Sequence, residues 1–421
     1  MTQETRPAVL PRLGEAIPPI VQRFNRKGTL GVVLLDASPL AEIERSYGYD
    51  AYARAASSLG GLVRDAADEV LDGNEVLDGD ELIVSGETGR HEIVIMLFRD
   101  KHDGQFYRSE LPGLVRALQR AIEQRGHRVV YPYFRKVPIL GIGFSAALRN
   151  PYFGAEAQLR DALEEARGDA ELSARRESRK RRKSFLGMVM AEEVSSVYEP
   201  IVDVATKTVF GYEALARGPA GTEFHSPEVL FSTAEEESFV FELDCLCRKS
   251  GLDGAIGLPS ETTLFLNVRP TTIHDPNFRP EALIRTLEQS ELRPSDVVFE
   301  ISEKESIANF EIFKEIRDEY RKLGFRFALD DTGAGYASLQ AVIELEPDFI
   351  KVDRALITGV DTDRARQALL KALHALAGGI GAKLVAEGLD TLEELEMLGE
   401  LQIPFGQGWL FGKPTPLRAE K

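Results

Sequence analysis

The chain of 421 residues is 43% hydrophobic and 28% charged, an ordinary globular balance that accommodates two or three domains. No run approaches the roughly 18 apolar residues that a membrane-spanning helix needs, and Glu4 with several prolines occupies the place of an apolar signal core, so a cytoplasmic location is expected. The formal charge of −17 argues against general nucleic-acid binding and obliges any site for an anionic ligand to supply its own positive charge.

In chain order, residues 1–27 read as an irregular N-terminal segment. "LGVVLLDAS" (30–38) reads as a buried strand, followed by helical periodicity to about Leu71. The echo "EVLDGNEVLDGDEL" (69–82) reads as a local loop duplication rather than a repeat unit. "HEIVIMLF" (91–98) and "VPILGIGFSAAL" (137–148) read as further strands, with helices near 110–125 and 154–175, giving an α/β domain over 28–170. The basic stretch "ARRESRKRRKS" (174–184) sits in a linker, 171–193, expected to be a solvated helical connector.

From 194 to 421 the rhythm changes. Apolar runs recur at 197–204, 209–217, 264–270, 297–302, 325–331, 348–354, 383–389 and 406–412, most of them separated by helical segments. Ser226-Pro227 marks a helix start, Thr391 and Glu394 form a capping box, and a helix from Asp361 towards Gly378 carries Ala365, Leu369, Leu373 and Leu376 on one face. The paired Cys245 and Cys247 read as free thiols on a helix. Six or more strand-plus-helix units in this length predict a (β/α)8 barrel.

Six of the strands end in a residue with chemical capability: Glu213, Asn267, Glu300, Asp330, Lys351 and Glu387. Strand ends of such a barrel converge on one mouth, so these residues predict a pocket crowded with carboxylates. Mutual repulsion and desolvation make that arrangement costly unless divalent cations are held there. All-oxygen ligands suit Mg²⁺, Mn²⁺ or Ca²⁺, and the adjacent Asp330 and Asp331 are suited to serve two ions. Lys351 in "KVD" is expected to position or help deprotonate a nucleophilic water, with Asp353 orienting it. Gly333 and Gly335 suggest a tight loop after the aspartates.

"YEPIVDV…GYEALAR…LFLNVRP…FEISE…FALDDTGAGYASL…DFIKVDR…LVAEGLDT…QGWLFGKP" resembles the EAL domain of cyclic di-GMP phosphodiesterases, with the naming triplet at Glu213-Ala214-Leu215. The resemblance implies a TIM-like barrel that linearises cyclic di-GMP to pGpG with two Mg²⁺ or Mn²⁺ ions. It implies Glu213, Asn267, Glu300, Asp330 and Asp331 as metal ligands, Lys351 acting on the water, Glu387 holding the metal–water cluster and Glu303 steadying the following loop. Arg217, Leu215, Gln407, Glu199 and Asp353 fall at substrate-lining positions, and the region around the 361–380 helix implies a homodimer.

Four positions depart from the family pattern: Glu199 replaces a glutamine, Thr332 an aromatic, Ala334 varies within the loop, and Asp390 is one methylene shorter than usual. The first half is similar, more distantly, to a GGDEF domain through "LLDASPLAEIERSYGY" (34–49). Asp36 and Gly48 are kept. Ser38 replaces the second metal-site aspartate, Glu44 and Arg45 replace the guanine-reading pair, and "GRHEI" (89–93) replaces the signature, so this half is expected to be degenerate and regulatory, with a possible protein partner. The alternative to an enzyme is a silent cyclic di-GMP receptor; a scaffold without ligand is a third reading.

Overall fold

The computed structural model describes residues 10–417, except 72–80, 88, 102, 135, 260, 270–274, 290–291, 303–309 and 333–336 and the side chains of 312 and 337–339. It divides into two compact units, Met1–Ser184 and Phe185–Lys421.

The first unit is built on a four-stranded antiparallel sheet of β1 (Gly28–Asp36), β2 (Glu81–Ser85), β3 (Glu92–Asp100) and β4 (Gly141–Leu148) in the order β2-β3-β1-β4. Alternation along β1 serves both faces. Val33 and Leu35 meet the Tyr49–Asp68 and Leu111–Val130 helices, whereas Leu30, Val32 and Leu34 meet Leu13, Ile20, Phe24 and Leu159. The stretch 1–27 is therefore not wholly irregular: Leu13–Lys27 is a helix that buries Leu13, Ala16, Ile20 and Phe24 against the sheet. Pro18 and Pro19 interrupt its backbone bonding, but the apolar spacing of three and four residues keeps its packing face. β2 is a second departure, a short edge strand that begins within the expected loop duplication at 69–82.

The second unit is a closed barrel: β5 (Ser195–Asp203), β6 (Val209–Arg217), β7 (Thr263–Asn267), β8 (Val297–Ser302), β9 (Arg326–Thr332), β10 (Phe349–Val352), β11 (Lys383–Ala386) and β12 (Phe405–Gln407). Seven strands run parallel to one another, but β5 is antiparallel to both of its neighbours, β6 and β12. The cause is connection length. Only a short turn separates β5 from β6, with Lys207 at φ 58, whereas a parallel crossover needs a dozen residues or more.

Phe185 and Met188 at the end of the expected linker pack with Phe224, Leu230 and Leu243, so the connector is not wholly solvated. The Arg364–Ile380 helix buries Leu370, Leu373 and Ala377, leaving the expected Ala365 and Leu369 facing solvent. Thr391 and Glu394 do form the capping box. Ser226 stands at the N-cap of Pro227–Glu237 without a side-chain bond to it.

Inside the barrel, every strand contributes one residue to an apolar layer: Ile201, Phe210, Phe265, Val298, Ala328, Phe349, Val385 and Phe405. Phe210 and Phe405 stack at 4.2 Å. This layer is a solid floor, and what lies above it is the site.

Candidate active site

Strand side chains alternate, so the residue two places beyond each floor residue points into the barrel one layer higher. From Phe265, Val298, Ala328, Phe349, Val385 and Phe405 that step reaches Asn267, Glu300, Asp330, Lys351, Glu387 and Gln407. On β5, which runs the other way, the step from Ile201 goes back to Glu199. On β6 a register irregularity opposite Ile201/Val202 inserts one extra residue, and the step from Phe210 reaches Glu213. One layer thus holds eight polar side chains, five of them acidic.

Lys351 is at its centre, 1% exposed. Its ammonium lies 2.7 Å from Glu387, 2.9 Å from Glu300, 3.1 Å from Glu213 and 3.4 Å from Asp330. Burial alone would lower its pKa, but Asp330, Glu213, Glu300 and Glu387 together drive it well above the ordinary lysine value.

One ammonium does not satisfy four carboxylates. Burial, followed by repulsion from Glu213, pushes Glu300 well above its ordinary value, and burial does the same to Glu387. Asp330 is raised by the same cause. Glu213 alone is lowered: Lys351 and Gln407 outweigh its desolvation. Glu300 Oε2 is buried with no hydrogen-bond partner, and Glu300 Oε1 and Asp330 Oδ1 face the ammonium without a well-directed bond. Asp330, Asp331 and Glu387 each bring an oxygen within 4.8 Å of the others. Orphaned oxygens and surplus negative charge are the conditions a hard divalent cation relieves, and the all-oxygen donor set fits one.

The EAL domain family profile matches residues 182–414, more than half of the chain. This chain belongs to the EAL domain family. It is 29% identical over 191 residues to "Cyclic di-GMP phosphodiesterase PdeA" of Borreliella burgdorferi, a match covering 45% of this chain and 28% of that protein. It is 30% identical over 229 residues to "Probable cyclic di-GMP phosphodiesterase PdeG" of Escherichia coli, covering 53% and 45%. The chain therefore spans less than half the length of these curated relatives. The barrel fold recurs in the Xanthomonas citri FimX EAL domain in complex with c-diGMP (TM-score 0.52, 17% identity, 58% of this chain and 99% of that one). It recurs also in the c-di-GMP complex of the PaMucR phosphodiesterase (TM-score 0.50, 22% identity, 56% and 98%).

The remaining EAL-domain positions fall as follows. Asn267 Nδ2 donates to Glu213 Oε1 at 3.1 Å. Asp331 is exposed, its backbone at φ 57 turning it away from the strand direction. Gln407 is buried and donates to Glu199 (2.9 Å) and Glu213 (2.6 Å), tying the first strand to the second. Arg217 is half-buried and donates to the Ala216 carbonyl at 2.8 Å, while Leu215 is half-buried on the same strand. Asp353 caps the Arg354–Ile357 helix through Ala355 N (2.7 Å) and is not among the contacts of Lys351, which the four carboxylates orient instead. Thr332 is buried, its hydroxyl donating to the Leu329 carbonyl at 3.3 Å. Glu303, Gly333, Ala334 and Gly335 lie outside the described residues.

A cavity of about 250 Å³ opens beside the carboxylates, lined by Glu199, Glu213, Glu387 and Gln407 and by four residues not singled out in the sequence: Arg354, Gly388, Gly408 and Trp409, with Asp390 at its edge. Arg354 pairs with Asp390 at 2.5 Å across Gly388, whose φ of 72 and closeness to the Arg354 side chain leave no room for a Cβ. Nothing in strand periodicity marks these residues, because loops after the strands bring them together.

Proposed function

We propose that the barrel hydrolyses cyclic di-GMP to linear pGpG using two divalent ions, Mg²⁺ or Mn²⁺. The observation that carries this reading is the buried layer of four carboxylates around a single buried lysine, in a domain whose relatives are named cyclic di-GMP phosphodiesterases. Glu213, Asn267, Glu300, Asp330 and Asp331 would hold the ions, and Glu387 would close the set. Bound ions supply a nucleophilic water near neutral pH and offset the charge of the phosphodiester. Lys351, fixed among the carboxylates, would position that water or help to deprotonate it. Arg217, Leu215, Gln407, Glu199 and Asp353 bound the substrate.

A second reading is a silent cyclic di-GMP receptor, supported by Glu199: where the family carries a neutral glutamine, this carboxylate faces the cavity and occupies Gln407. Chromatography of cyclic di-GMP incubated with the full chain and Mn²⁺ separates the two. Formation of pGpG supports the enzyme. Tight calorimetric binding with no product supports the receptor.

For residues 28–170 we propose a degenerate GGDEF-like domain with a regulatory role. Asp36 ends β1, and the amide and hydroxyl of Ser38 both donate to its Oδ1 at 2.9 and 2.5 Å, so the residue that replaces the second aspartate also occupies the first. A homodimer through the barrel is supported by Leu369 and Ile380, exposed on the Arg364–Ile380 helix. Among the described residues no helix is long and apolar enough to cross a membrane, and a cytoplasmic location is the corresponding proposal.

A further inference from the structure

A cavity of about 760 Å³ lies within the first unit and takes no part in the barrel chemistry. That volume is in the range of small-molecule sites, about 300–1,000 Å³. One wall is the Tyr49–Asp68 helix, which lines the cavity with Tyr49, Tyr52, Ala53 and Ala56, a single helical face. Ala53 and Ala56 carry only a methyl group each, so this face leaves a hollow that larger side chains would fill. The floor is apolar, because Leu40, Leu59 and Ile93 belong to the buried core of the unit.

Two aromatic rings and one carboxylate stand together at this wall. Tyr49 and Tyr52 have ring centroids 6.5 Å apart and planes tilted by 44°. The Tyr52 hydroxyl is fixed by His91 Nδ1 at 2.6 Å. Burial, then the negative charge of Glu44, raises the Tyr52 phenol above its ordinary pKa, so the Glu44 carboxylate lies near that ring. Glu44 has no ion-pair partner among the described residues. The other charges around the cavity are matched. Glu92 pairs with Arg167 (2.9 Å) and Arg90 (3.6 Å), and Glu87 with Arg160 (3.4 Å). Arg12 and Glu15 stand one helical turn apart and offset one another. Aromatic rings beside an unpaired carboxylate, over an apolar floor, attract a positively charged nitrogen and repel a phosphate.

We propose that this cavity binds an organic cation, an alkylammonium nitrogen carried on an apolar body. The nitrogen sits among Tyr49, Tyr52 and Glu44, and the body covers Leu40, Leu59 and Ile93. The site rests on the first unit alone and is independent of the reading of the barrel.

Benzyltrimethylammonium is the probe, titrated calorimetrically into the full chain. It should bind saturably at one site, and neither benzoate nor GTP should displace it. Glu44→Gln should weaken it about fivefold or more, and Tyr49→Leu about threefold or more. Ala56→Leu, which fills the hollow, should abolish binding while circular dichroism shows the fold kept. If Ala56→Leu misfolds, Glu44→Gln and Tyr49→Leu decide the matter. Undiminished binding in those two variants would put the cation elsewhere, the acidic barrel mouth included, and overturn the proposal. Absent binding, or displacement by benzoate or GTP, would overturn it as well.

Discussion

Both units place an aspartate near the end of an inner strand, Asp36 on β1 and Asp330 on β9, yet only one becomes part of a reactive cluster. The open sheet of the first unit leaves Asp36 half-buried and bonded to Ser38. The barrel turns the same kind of position inward and closes seven other polar side chains around it, in a layer where Lys351 is 1% and Glu300 0% exposed. Residue type is thus a weak indicator of chemistry by itself. Closure and burial convert a strand-terminal carboxylate into one whose pKa is raised and whose Oδ1 faces an ammonium without a well-directed hydrogen bond.

The sharpest way to break the comparison is to remove one carboxylate from each unit. Glu213→Ala or Asp330→Ala should lower turnover of cyclic di-GMP by about 1000-fold or more, whereas Asp36→Asn should change it less than about twofold. Equal effects in a nucleotide chromatography assay would mean that the barrel cluster is not the reactive one. Next in size, Lys351→Ala should reduce kcat by about 100-fold or more while calorimetry finds Mn²⁺ still bound. Wild-type kcat in that variant would remove the water-positioning role.

The displaced carboxyls give a pH signature that the first unit lacks. Glu300, Glu387 and Asp330 have folded values above their unfolded ones, so they favour the fold while protonated, and that contribution is lost as pH rises through the folded values. Chelated protein should therefore melt at a lower temperature at pH 8 than at pH 6, and Mn²⁺ should raise the melting temperature more at pH 8. A metal effect independent of pH, read by calorimetry, would contradict the charge surplus. The smallest expected effect is Glu199→Gln, which removes a negative charge from the cavity: KM should fall a few-fold with kcat within about twofold. A gain of activity from none would instead support the receptor reading.

Much of this was legible in the sequence, for identifiable reasons. Asn267, Glu300, Asp330 and Lys351 each sit two residues past an apolar position, so periodicity alone aimed them at one mouth. The expected (β/α)8 pattern did not include an antiparallel β5, which follows from the short turn before β6 that permits only a hairpin. The Leu13–Lys27 helix was obscured by Pro18 and Pro19, and β2 by its brevity beside a repeated loop motif. The place of Arg354, Gly408 and Trp409 in the cavity was not legible, because their convergence depends on loop paths and on the left-handed backbone at Gly388. The direction of the Lys351 pKa shift needed distances, since burial and four neighbouring carboxylates act on it in opposite directions.

The central claim is that this layer of carboxylates and lysine is a metal-dependent phosphodiesterase centre. Its most direct test is the rate of pGpG formation from cyclic di-GMP by chelator-treated full chain as Mn²⁺ is titrated back. The account predicts no product without metal and a saturable rise as the ion is restored. Product formation at full rate in excess chelator, or none at any Mn²⁺ or Mg²⁺ concentration, would contradict it.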